Sequence, residues 1–354
     1  MNRIWWEQVP NARLFLDTIL ESISNEKSVI LVSKNPLPWR DYFFTKLNEE
    51  FRQTTATKSI EKLTNVKNPG KYLMDKYCNS EKQASYRPRP GNSFALFLAT
   101  SNDIMLHNKM FWVCLDEDPT QSSLNEWTSF ISEYIKERGR NSPQATFLIE
   151  YRSSKSVTNK KGISAIYFDD QIGDFDRFVF CMLAASSVNE SSNIKKYLSE
   201  LVSNVVGNNI ELYEEIISNY RVFLSDPFSF IIEATSNVQI KDPLFVFSKK
   251  RDDIEHDIWL SQLRTVYPIL EDYREKFVNK HRKDISRNLP ITSSSGEVYS
   301  MPEDVELGTL RYLADSQKIA TTSAEHDELV LHTMARNDLA HLKPIAISDV
   351  RKIL

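Results

Sequence analysis

Apolar positions recur at helical spacing over residues 10–24, at Leu14, Leu16, Ile19, Leu20 and Ile23, with Pro10 at the start. Positions three and four apart share one face of a helix, and proline suits a first turn, where an N–H has no partner. The pattern then turns continuous in Ser28-Val-Ile-Leu-Val-Ser33. Short unbroken apolar runs of this kind are buried on both faces of a parallel sheet. A loop from Lys34 to Arg40 leads into a helix from about Asp41 to Phe51. The alternation continues with strands at 110–115, 145–151 and 163–168, a helix at 124–137, and another helix starting near Asp174. Strands separated by helices imply βαβ units and a mostly parallel sheet. Phe94–Leu98 fits either a strand or a helix. Residues 53–92 are polar, with Lys67-Asn-Pro-Gly-Lys71 and Arg87-Pro-Arg-Pro-Gly91, and predict an insertion or mobile loop. Its basic residues are the best local candidates for nucleic-acid contact outside the C-terminus, although a solvated loop explains them as well.

From residue 175 onward the period is helical, at 175–187, 194–206, 210–224 and from Phe228 to Ala234. A polar stretch at 235–256 predicts a boundary. A long helix follows from Ile258 to about Asp284, with a kink expected at Pro268, which removes one backbone donor. Then come a polar loop at 286–301, a helix at 302–315 with Glu303 and Asp304 at its N-terminal end, and an amphipathic helix from Glu328 to Leu342. A last short helix starts near Ser348 and Asp349, whose side chains are expected as caps. This divides the chain into 1–174, 175–250 and 251–354.

Composition narrows the picture. At 354 residues, 41% hydrophobic and 26% charged, the chain has the length for two or three domains with a large core. A net charge of −4 argues against wholesale coating of nucleic acid, so an RNA-binding surface has to be a local basic patch. Cys78, Cys114 and Cys181 are far apart without histidines at ligand spacing. Cys114 and Cys181 lie in apolar runs and are expected as buried free thiols, which fits a reducing compartment. The first residues lack a signal-peptide run and no apolar stretch reaches membrane-spanning length, so a cytoplasmic protein without membrane contact is expected.

Two stretches carry candidate chemistry. The first is the strand, turn and helix of residues 28–51, the arrangement in which a P-loop NTPase places its phosphate cradle. The cradle residues are missing. There is no glycine between Ser28 and Phe51, and Pro36 and Pro38 have no N–H to offer. Lys34 and Arg40 are the remaining candidates for a phosphate. Further on, Met110-Phe-Trp-Val-Cys-Leu-Asp116-Glu117 resembles the Walker B strand of AAA- and STAND-type ATPases. That resemblance implies a magnesium role for Asp116 and a water-polarising role for Glu117. Acidic residues after a strand also start turns, and Asp118-Pro119 fits one. The two observations together predict a degenerate P-loop-like α/β domain without ATP turnover or bound cofactor, with 175–250 as its helical lid.

The second stretch is Arg336-Asn337-Asp338-Leu339-Ala340-His341. Asn337 and His341 are four apart and share a helix face, with Arg336 expected at its border. Arginine holds phosphate oxygens in a fork, and histidine exchanges a proton near neutral pH. Cations at a helix end also occur simply as caps. The six residues resemble the Arg-x4-to-6-His motif of HEPN-domain ribonucleases. The resemblance covers about the last hundred residues and implies an all-α bundle, usually dimeric, cutting RNA without a metal at a site built from two copies of the motif. It implies His341 as acid or base at a ribose 2′-hydroxyl, Arg336 at the transition-state phosphate and Asn337 as an orienting group. Glu271 is the expected carboxylate on Arg336, and Lys343, Arg351 and Lys352 are candidate phosphate contacts. The leading expectation is a metal-independent endoribonuclease effector of a bacterial antiviral or toxin-type system, acting on RNA as a homodimer or even oligomer. The alternative is a non-catalytic sensor or scaffold in a defence complex with a protein partner.

Overall fold

The computed structural model describes residues 1–54, 58–101, 104, 106–115, 120–139, 142–241, 247–293 and 296–354, with side chains 239–241 also outside the description. They form two compact units, Asn2–Asp176 and Arg177–Leu354. No described helix is long and apolar enough to cross a membrane.

The first unit runs α1 (Asn2–Gln8), α2 (Pro10–Ser24), β1 (Ser28–Ser33), α3 (Arg40–Thr54), β2 (Ser59–Thr64), α4 (Pro69–Tyr77), α5 (Ser80–Ser85), α6 (Phe94–Thr100), β3 (Lys109–Cys114), α7 (Gln121–Arg138), β4 (Thr146–Arg152), β5 (Ile163–Tyr167) and α8 (Phe168–Gln171). The five strands make one sheet in the order β2-β3-β4-β1-β5, every pairing parallel. Strand alternation sorts the side chains. Ile30, Val32, Phe111, Val113, Phe147 and Ile149 meet α4, α6 and α7 in one core. The chain is an α/β protein with a parallel sheet, as the alternation predicts.

Residues 53–92 differ from the expected mobile loop. They contain the edge strand β2 and the helices α4 and α5. β2 escapes the pattern because it has one neighbour and only Leu63 is buried, so its sequence, Ser-Ile-Glu-Lys-Leu-Thr, stays polar. Phe94–Thr100 is a helix, capped by Ser93, whose hydroxyl accepts from the Leu96 N–H at 3.1 Å. Gly70 lets α4 approach it: a Cβ there would lie 2.4 Å from Phe94 Cβ.

The second unit contains α9 (Asp174–Ala185, from Arg177 on), α10 (Ser192–Val206), α11 (Tyr213–Ser218), α12 (Tyr220–Ser225), α13 (Pro227–Lys241), α14 (Arg251–Thr265), α15 (Tyr267–Lys280), α16 (Arg282–Arg287), a hairpin of β6 (Ile291–Thr292) and β7 (Val298–Tyr299), α17 (Leu307–Asp315), α18 (Ser323–Ala340) and α19 (Ile347–Ile353). Three expectations shift here. The long kinked helix is three helices, α14, α15 and α16, because Pro268 lies in the first turn of α15 instead of bending one rod and the chain breaks again at His281. The polar loop at 286–301 holds the hairpin. The first residue before α19 is Ala346, with no side-chain cap from Ser348 or Asp349. The expected parts 175–250 and 251–354 share one compact unit. Gln262 of α14 joins them: its amide donates to Ile345 O at 2.8 Å and to Tyr197 Oη of α10 at 3.3 Å, and its oxygen accepts from Ile345 N at 2.6 Å. A buried amide satisfied on both sides fixes the elements it touches.

Candidate functional site

The motif lies at the end of α18. Thr322 caps the start of that helix, accepting from the Glu325 N–H. Its end is set by Leu342 in the left-handed region (φ 59°), with Lys343 N–H donating to Asp338 O at 2.8 Å. This six-to-one bond closes a helix in the Schellman manner, here on leucine instead of glycine. His341 is therefore the C-cap residue, and it is exposed.

Five positions along a helix turn a side chain by about 140°. Arg336 accordingly falls on the side of the buried Leu329, His332 and Leu339, whereas His341 falls on the outward side with the exposed Met334. The single patch expected from spacing is therefore divided. Arg336 and Asn337 line a cleft of about 720 Å³, and His341 is outside its lining. The hairpin and its turn supply Thr292, Glu297 and Tyr299 to this cleft, α17 supplies Thr309 and Tyr312, and Glu306 lines it from just before α17.

The carboxylate on Arg336 is Glu306, not Glu271. Arg336 Nη2 donates to Glu306 Oε2 at 2.8 Å. Glu306 is free to reach it because it precedes α17 without capping that helix through its own side chain. Arg336 Nε is buried without a hydrogen-bond partner. Glu271 instead accepts from Arg274 Nε at 2.8 Å, three residues along α15. Sequence reasoning missed Glu306, which fell inside the helix predicted at 302–315, where nothing in its spacing pointed at α18. Of the three outlying cations, Lys343 is exposed, Arg351 pairs with Glu190 at 3.1 Å and Lys352 with Asp349 at 2.8 Å.

Behind the motif, the His332 ring stacks on Tyr273 at 3.8 Å between centroids, and its Nδ1 lies 2.8 Å from Glu328 O. Burial holds the His332 pKa below its usual value, against the opposing pull of that carbonyl. Burial also pushes the Tyr273 hydroxyl upward. A neutral aromatic pair thus supports the inner side of α18 beside Arg336.

In the first unit, Arg40 opens α3 and is committed within the sheet. Its Nε donates to Glu150 Oε1 at 2.7 Å and its Nη2 to Oε2 at 2.5 Å, while Nη2 also meets Cys114 Sγ at 3.2 Å. The guanidinium carbon lies 4.9 Å from the Trp112 ring centre and 5.3 Å from that of Phe44. Burial, reinforced by Glu150, pushes the Cys114 thiol up to about 11. The preceding loop is filled: Leu37 is buried, and Trp6 Nε1 donates to Pro38 O at 2.8 Å. Lys34 is exposed, and its backbone N–H donates to Asp169 at 2.7 Å. These residues do not fit a phosphate cradle, because Pro36 and Pro38 offer no N–H, the Lys34 amide is taken by Asp169 and Arg40 is neutralised by Glu150. Asp116 and Glu117 lie outside the described residues.

Cys78, Cys114 and Cys181 are buried and none is in a disulfide. Among the described residues no three His, Cys, Asp or Glu side chains gather as a metal site. Comparison with known families, curated proteins and solved structures found no match to this chain.

Proposed function

We propose that the chain is a metal-independent endoribonuclease, of the kind used as an effector in bacterial defence, and that its site is completed by a second copy. The observation that carries this reading is the cleft at the end of α18, where Arg336 and Asn337 stand at one wall and the exposed His341 follows at the helix end. A guanidinium and an amide suit a phosphodiester. An exposed imidazole suits proton transfer at a ribose 2′-hydroxyl, the internal nucleophile that makes such cleavage specific to RNA. Because Arg336 and His341 project about 140° apart on one helix, a site using both needs the histidine of another copy. The outer stripe of α18 supports pairing: Met334 is 56% exposed and the adjoining Leu342 71%.

The first unit acts in this reading as a platform derived from a P-loop ATPase. The all-parallel five-stranded sheet suits this reading, and the filled loop after β1 supports the loss of turnover. The second reading, a non-catalytic scaffold, is favoured by one observation: Glu306 already occupies Arg336. The test is incubation of the full chain with mixed-sequence RNA and DNA in EDTA, beside His341→Ala, with light scattering on the same samples. RNA cleavage by a dimer, abolished in His341→Ala, supports the ribonuclease. A dimer that never cuts RNA supports the scaffold.

A further inference from the structure

The cleft beside Arg336 is larger and more aromatic than a phosphate contact requires. Its volume of about 720 Å³ lies in the range of small-ligand sites, roughly 300–1,000 Å³. Tyr312 forms one wall and is 58% exposed, with Lys318 Nζ 5.7 Å from its ring centre. A tyrosine more than half exposed, with a cation over its ring, is a surface on which unpaired nucleobases stack.

The hairpin adds to the same lining an acceptor held in place. Glu297 ends the turn of the β6–β7 hairpin. Ser293 N–H donates to Glu297 O at 2.8 Å, and Glu297 N–H donates to Ser293 Oγ at 3.0 Å. Gly296, at φ 89°, allows that closure. The buried Tyr299 places its hydroxyl 3.4 Å from Glu297 Oε2. Among the described residues no Lys, Arg or His pairs with Glu297, although Glu306 in the same lining has Arg336. A lone carboxylate in a cleft that also holds an arginine selects a ligand carrying donors at one end and an anion at the other.

We infer that this cleft takes one unpaired guanine nucleotide, with the base stacked on Tyr312, its Watson–Crick edge on Glu297 and its phosphate toward Arg336. Guanine is the base that presents two adjacent donors, N1–H and N2–H, to match a carboxylate's two oxygens. Adenine, cytosine and uracil do not present that pair. The inference rests on the reading of the cleft as an RNA site, and it makes the substrate single-stranded with guanine next to the bound phosphate.

The experiment measures binding alone, so it separates this inference from the ribonuclease reading. Titrate the full chain with GMP, IMP, AMP, CMP and UMP by calorimetry or ligand-observed NMR. GMP is expected to bind about tenfold or more tightly than AMP, CMP and UMP. IMP, which keeps N1–H and lacks the N2 amino group, falls between. Glu297→Gln removes the preference for GMP, Tyr312→Ala weakens every nucleotide about tenfold or more, and Tyr312→Phe retains binding. Both positions are exposed, and an unchanged melting curve identifies folded variants. GMP selectivity in a protein that never cuts RNA leaves the site standing while the ribonuclease reading fails. Equal binding of all five nucleotides, or a GMP preference unchanged in Glu297→Gln, overturns the inference even if RNA is cut.

Discussion

Arg336 and Glu306 are joined at 2.8 Å, so the cation of the motif is held from the residue just before α17 before any ligand arrives. The side chains are 30% and 43% exposed, so the bond is open to competition from solvent and from anions. A phosphate has to displace or share that carboxylate.

Glu306→Gln is accordingly expected to tighten RNA binding a few-fold. Freeing one cation adds about 0.7 to the slope of log affinity against log salt for a single strand. The stability cost is small, about 1 kcal/mol or less for a pair this exposed. Anisotropy titrations at several salt concentrations measure both effects. Weaker RNA binding with an unchanged slope would show that Glu306 supports Arg336 instead of competing for it.

Cleavage tests the motif residues individually. His341→Ala is expected to lower the rate by about 10²–10⁴, the usual contribution of one acid–base group. Its stability should change by no more than about 0.5 kcal/mol, because the side chain is exposed. Arg336→Lys should not restore the activity lost in Arg336→Ala, since a point charge does not reproduce the fork. Single-turnover rates paired with melting curves read these outcomes, and an active Arg336→Lys protein would argue against the fork.

The Arg40–Glu150 pair predicts a structural role for Arg40. Glu150 is 8% exposed, so Arg40→Ala leaves a buried carboxylate unpaired and should cost about 3 kcal/mol or more. Arg40→Met combined with Glu150→Leu should recover much of that loss. ATP in large excess should neither raise the melting temperature nor be hydrolysed. A nucleotide-binding Arg40 gives the reverse: near-wild-type stability in Arg40→Ala and a loss of ATP-dependent stabilisation.

His332 predicts a pH dependence. Burial depresses its pKa below 6.5, so between the folded value and 6.5 the unfolded chain binds more protons. Its contribution to stability is present above about pH 6.5 and is lost as pH falls through the folded value. Urea unfolding at pH 7.5 and below 6.5 should show a steeper loss in the wild type than in His332→Phe, which keeps an aromatic ring against Tyr273. Equal slopes in the two proteins would exclude His332 as a source of acid sensitivity.

The sequence by itself determined the α/β character of the first half and the helical character of the second. Ser28–Ser33, Met110–Cys114 and Thr146–Tyr151 are apolar runs, and each became an inner strand because burial on both faces demands that composition. It also located Arg336, Asn337 and His341 on a late helix. Edge strand β2 was hidden because an exposed strand needs few apolar residues. Only the tertiary structure decided which groups meet. Glu306 reaches Arg336 across 30 residues, and Glu150 reaches Arg40 across 110, through packing that no local spacing encodes. Helical rotation likewise placed Arg336 in the cleft and His341 outside it, because proximity in sequence fixes an angle on the helix and neighbouring elements decide what each side chain faces.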